Sequence, residues 1–121
     1  RFDEKNGAKQ ELLPEFKDEE DKDYARRLFR RTILNADYYL HLVGENARNW
    51  DSKRLSFMDS LIIQIALAEI TSFPNIPISV SINEYLEIAK LYSTPKSPAF
   101  INGLLDAVVN QLKKEGKLMK N

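Results

Sequence analysis

Cysteine is absent from these 121 residues, histidine occurs once and glycine four times. Without cysteine there are no disulfides, no thiol nucleophile and no thiolate metal site, which suits a reducing, cytoplasmic setting. His41 stands alone in a Tyr-Tyr-Leu-His-Leu run. It has no Gly-x-Ser-x-Gly turn to serve and reads as a surface or packing residue. Four glycines provide neither a Walker loop nor a dinucleotide fingerprint. No apolar run reaches the roughly 18–20 residues of a membrane span, and no signal peptide is present. Excess charge is missing too: 18 basic and 18 acidic side chains cancel, which argues against a uniformly basic nucleic-acid binder and against an acidic tail. The chain opens on Arg1 rather than methionine, which favours a piece of something longer.

What is present is helical pattern. At this length one domain can bury about two thirds of the surface its unfolded chain exposes. Residues 1–20 read as a flexible arm or linker, polar and charged around Gly7 and Pro14, and residues 21–121 as a helical domain. Tyr24, Leu28, Phe29, Thr32 and Ile33 share a face, with Arg26, Arg27, Arg30 and Arg31 largely opposite. A second helix is expected over 36–48, with Tyr39, Leu42 and Val43 inward. Residues 55–72 are apolar in nearly every direction, the mark of a central helix. Pro74 and Pro77 end it. Ser81-Ile-Asn-Glu84 has capping-box spacing, although Pro77 suggests an earlier start for the helix that ends near Tyr92. Ser97-Pro98 opens the last helix with a capping hydroxyl and a first-turn proline. It carries Ile101, Leu104, Leu105, Val108 and Leu112, and stops near Gly116. With no alternating strand, the fold class is all-α, a helical bundle of about five helices.

Charge along the chain is segregated. Residues 1–23 carry a net −4, residues 24–54 +4, residues 55–94 −3 and residues 95–121 +3. Such blocks can give opposite-sign faces that steer partners, or simply solvate helix exteriors. Asp59, Glu69, Glu84 and Glu87 are helical carboxylates, but no Glu-x-x-His pair accompanies them, so no di-metal bundle site is expected. Four arginines at 26–31 could meet phosphates, with a solvated outer face as the plainer reading. Gly103 inside a patterned helix marks a close backbone approach. Around it, Tyr92, Lys96 and Phe100 place two aromatics beside a helix N-terminus and a cation, a combination that can stack bases and hold phosphate. Core packing is the competing reading for Phe100.

Ile65-Ala-Leu-Ala-Glu-Ile70, Ile76-Pro-Ile-Ser-Val-Ser-Ile-Asn-Glu84, Ala89-Lys90 and Phe100-Ile-Asn-Gly-Leu-Leu-Asp106 follow one another in an order and spacing that resemble the C-terminal part of the NusB family. The likeness is strong from about 55 to 106 and weaker but colinear from about 22 to 54. It implies an all-α fold and a non-enzymatic role in transcription antitermination. The implied partners are boxA RNA of ribosomal leader transcripts, the small-subunit ribosomal protein NusE and the RNA polymerase elongation complex. Neither a cofactor nor a metal is implied, and no membrane.

By position, the resemblance implies that Tyr92, Lys96 and Phe100 meet RNA and that Asp59 meets NusE. Gln64 stands where some members carry a basic residue. Asn83, Glu84, Asn102 and Gly103 match the family pattern and read as helix-start, capping and packing residues. The family's arginine-rich N-terminal helix has no counterpart, and the arginines at 26–31 fall on a later helix. A NusB-like accessory domain of an RNA cytosine methyltransferase, or a purely protein-binding helical module, are the alternatives. The first needs a methyl-donor domain after residue 121, and the ending Lys-Leu-Met-Lys-Asn reads as a natural terminus.

Overall fold

The computed structural model describes residues 19–47 and 56–120. Five helices follow one another: α1 Glu19–Leu34, α2 Ala36–Asn46, α3 Phe57–Ser72, α4 Ile78–Tyr92 and α5 Ser97–Lys114. Among the described residues there is no strand. The arm assigned to residues 1–20 lies, except for its last two residues, outside the described residues. The polar turn expected at 49–53 lies outside them as well.

Helix α3 is the axle, packing against each of the other four. Its sequence explains why: Ile62, Ile63, Ala66, Leu67, Ala68 and Ile70 are all buried and point around most of the helix. From α5 come Ile101, Leu104, Leu105, Val108, Val109 and Leu112, a full apolar stripe at helical spacing. Helix α2 adds Tyr39, Leu42 and Val43, as its pattern predicts. Helix α4 adds Ile78, Tyr85 and Ala89, with Ile82 and Leu86 half-buried beside them.

Helix α1 departs from its predicted face. Its only buried residue is Thr32, with Tyr24 and Leu28 half-buried along the same i, i+4 line. Phe29 and Ile33, expected inward, are 65% and 60% exposed. A rotation of about 100° per residue turns them away from the line of Tyr24, Leu28 and Thr32. The arginine face is solvated, as the plainer reading had it. Arg27 pairs with Asp23 at 3.6 Å and lies 4.9 Å above the Phe73 ring. His41 is a surface residue, paired with Glu45.

Both helix starts fall where the prolines point, but the capping roles differ from the sequence reading. Helix α4 begins at Ile78 with Pro77 as its cap, the earlier start that Pro77 suggests, so Ser81 is already inside it and makes no capping box. The Ser81 hydroxyl instead donates to Glu69 Oε2 at 3.2 Å. Helix α5 is capped by Lys96, and Ser97 is its first residue. At the far end, Gly116 turns the chain with φ of +74°, where glycine has no steric penalty. Its N–H bonds to Lys113 O and the Lys117 N–H to Leu112 O, closing a Schellman motif. The chain then folds back: Leu118 enters the core, and the Lys120 ammonium donates to Phe73 O at 2.8 Å and Ile76 O at 2.6 Å. Burial pushes the Lys120 pKa below its usual value, with Glu69 pulling the other way.

Glu69 occupies the centre of this arrangement at 0% exposure. Its Oε1 accepts from Tyr24 at 2.8 Å and from Tyr85 at 3.3 Å, and its Oε2 from Ser81. The carboxylate therefore ties α1 and α4 to α3 with hydroxyl donors. This is how a buried charge is tolerated.

Candidate nucleic-acid interface

The junction between α4 and α5 is four residues long, Ser93 to Lys96; of the residues that the sequence singled out it carries Lys96, with Tyr92 just before it and Phe100 in the first turn of α5. Its geometry depends on Asp59. Ser56 caps α3, its hydroxyl accepting from the Asp59 N–H at 3.0 Å, which fixes the first turn. The Asp59 carboxylate then accepts from Ser93 Oγ on one oxygen and from Ser97 Oγ, at 3.1 Å, on the other. Ser97 Oγ also accepts the Thr94 N–H at 3.3 Å and lies 2.8 Å from Thr94 Oγ1. One acid at the start of α3 thus holds the end of α4, the junction and the start of α5 in a single hydrogen-bonded cluster.

Beside the cluster opens a cleft of about 240 Å³, lined by Asp59, Thr94, Lys96, Ser97 and Phe100. Lys96 is exposed at its rim. Phe100 is 8% exposed: it belongs to the core and also forms part of the cleft lining. The core reading of Phe100 therefore holds, with part of the ring lining the cleft. Tyr92, the last residue of α4, is 52% exposed and lies outside the cleft lining, one residue before Ser93. Three of the four predicted residues, Asp59, Lys96 and Phe100, thus share one cleft, and Tyr92 adjoins it in the chain.

Asp59 is 2% exposed, and with both oxygens engaged by hydroxyls it organises the junction. Sequence reasoning also passed over Ser56, Ser93 and Ser97 as a set. The Ser56-x-x-Asp59 spacing was the available signal, since serine followed three residues later by an acid marks a helix start. Pairing Asp59 with Ser93 and Ser97 needed the fold, because those partners lie 34 and 38 residues away.

Among the described residues, no three His, Asp or Glu side chains come together as a metal site. No described helix is long and apolar enough to cross a membrane. The described residues thus form a small helical bundle with a polar junction, an exposed aromatic and a rim cation. Comparison with known proteins supplies the class. A family model described as NusB family matches residues 2–110, and the chain belongs to the NusB family. The transcription antitermination protein NusB of Salinibacter ruber is 35% identical over 108 residues, covering 89% of this chain and 68% of that protein. That of Chloroherpeton thalassium is 39% identical over 100 residues, covering 83% of this chain and 47% of that protein. The chain thus spans about two thirds of the first relative and about half of the second. The solved structure of T. maritima NusB superimposes with a TM-score of 0.73 at 34% identity, covering 83% of this chain and 70% of that one. The role these relatives are named for, transcription antitermination, is not catalytic.

Proposed function

We propose that the chain acts in transcription antitermination by binding boxA-type RNA of ribosomal leader transcripts. In this reading it does so together with NusE, and the pair joins the RNA polymerase elongation complex in the cytoplasm. The observation that carries the reading is the α4–α5 junction, where a rim cation and a partly open aromatic line one cleft and a second aromatic stands exposed beside it. A base can stack on the Tyr92 ring, a phosphate can approach Lys96, and the Phe100 ring gives the cleft an apolar floor. Asp59 serves as a positioning residue. A direct NusE contact there would require Ser93 and Ser97 to release its carboxylate.

The test is a titration of fluorescently labelled boxA RNA, with a scrambled RNA as control, in the presence and absence of NusE. The chain is expected to prefer boxA, with NusE tightening binding. Tyr92→Ala is expected to weaken binding by about 5- to 100-fold, the range for losing one stacked base. Lys96→Ala should weaken boxA and scrambled RNA alike. Phe100→Leu preserves the apolar volume that Phe100→Ala would empty from the core. Equal affinity for boxA and scrambled RNA, or unchanged affinity in Tyr92→Ala and Lys96→Ala, would sink the proposal.

A further inference from the structure

Helix α1 leaves large apolar side chains in water. Arg26, Phe29, Arg30 and Ile33 fall within about 100° of one another around it, on the side away from Tyr24, Leu28 and Thr32. Phe29 and Ile33, with Leu34 beside them, are 65%, 60% and 72% exposed. Neighbouring apolar side chains of this size mark a surface that meets something. The two arginines on this face are unengaged as well. Arg27 pairs with Asp23 and lies over Phe73, whereas among the described residues Arg26 and Arg30 have no ion pair or ring contact. Phosphates would satisfy the guanidiniums and leave Ile33 and Leu34 in water, so RNA alone does not fit this face. What fits is a segment in which carboxylates and large apolar groups are interleaved.

Such a segment precedes α1 in this chain. Residues 10–16 carry Glu11, Glu15, Leu12, Leu13 and Phe16, and no base. Glu11 and Glu15 are four residues apart, as are Arg26 and Arg30. Leu12 and Phe16 are four apart, as are Phe29 and Ile33. The segment is also within reach. At 1.5 Å per residue, Phe29 and Ile33 lie about 15 and about 21 Å along α1 from Glu19. The chain from Leu12 to Glu19 spans up to about 23 Å when extended. Surface ion pairs are individually weak, but so short a tether gives an effective concentration on the order of millimolar. The family match begins at residue 2, so the segment belongs to the matched unit.

We propose that residues 10–16 fold back along α1. Glu11 and Glu15 pair with Arg26 and Arg30, and Leu12, Leu13 and Phe16 cover Phe29 and Ile33. The contact is separate from the RNA reading and stands or falls independently of it.

A chain without cysteine accepts a single spin label cleanly. Gln10→Cys carries a nitroxide at the far end of the segment, in the full chain labelled with nitrogen-15, and paramagnetic broadening is read on the backbone amides. The expected result is that the signals of Phe29, Arg30 and Ile33 broaden more than those of Val108 and Leu112 on α5, a helix that makes no contact with α1. The charge reversal R26E/R30E should abolish the difference, with circular dichroism confirming that the helices persist. Adding E11K/E15K to that variant should restore it, because the reversed pairs attract again. The proposal is overturned if the α1 signals do not broaden, if their broadening survives R26E/R30E, or if E11K/E15K fails to bring it back. A mixture of unlabelled chain carrying the nitroxide with nitrogen-15 chain lacking it separates the two routes of contact. Broadening of α1 in that mixture would assign the face to a second copy and overturn the fold-back; its absence is the expected result.

Discussion

The Glu69 carboxylate ties α1 and α4 to α3. Replacing Glu69 with alanine removes the acceptor to which Tyr24, Ser81 and Tyr85 now donate, and Ser81 is fully buried. A buried polar group that loses its partner costs about 1–3 kcal/mol. Urea denaturation of Glu69→Ala should therefore show a loss of about 1–3 kcal/mol, and Glu69→Gln, which keeps one acceptor oxygen, a smaller one. In the sequence Glu69 is one of four helical carboxylates, and nothing local distinguishes it. Its donors come from 45 residues before it and 12 and 16 after it, so only tertiary packing identifies the hub. Lys120 gives a second test at this scale. Its pKa is lowered in the folded state, so the folded chain binds that proton less tightly than the unfolded chain. The penalty is complete below the lowered value and disappears as the pH rises through it to 10.5, the ordinary value. Unfolding free energy measured from pH 9 to 11 should rise in the parent relative to Lys120→Met, where this dependence is absent.

Elements were more legible than residues. Periodicity located all five helices of the described residues, because burial on one face writes apolar residues at helical spacing whatever the partner is. Boundaries were read well where backbone geometry is stereochemically forced, as at Gly116. Capping roles were misread where a hydroxyl has two competing uses. Ser81 and Ser97 both carry the residue type and spacing of caps, and both hydroxyls instead serve buried carboxylates from α3. The candidate site followed the same division. Lys96 and Phe100 share a cleft because they sit four residues apart at one helix start. Asp59 reaches them only because α3 runs beneath. The end of α2 offers a test of local propensity with little packing to confuse it. Gly44 is exposed, and a Cβ built there meets nothing within 4 Å. Gly44→Ala should raise stability by about 0.5–1 kcal/mol, read as a higher Tm.

For the whole molecule, zero net charge first argued against nucleic acid, yet charge is distributed in blocks and the candidate interface depends on where the cations lie. Lys96 is the only cation lining its cleft. Single-strand binding loses about 0.7 in the slope of log affinity against log salt for each phosphate neutralised. Lys96→Ala should therefore flatten the slope for boxA RNA by about 0.7, measured across 50–200 mM salt. The reach of Tyr24 has a consequence of another kind. Helix α1 buries a single residue, Thr32, and a helix so thinly embedded would ordinarily open by itself. The Tyr24 hydroxyl, however, ends on a carboxylate that is also bonded to α4. Lifting α1 would take one donor from that buried carboxylate, which adds a penalty to partial opening that the burial of Thr32 alone does not supply. Native-state hydrogen exchange should find the α1 amides from Tyr24 to Thr32 exchanging with α3 and α4 as one cooperative unit, rather than as a separate early-opening one.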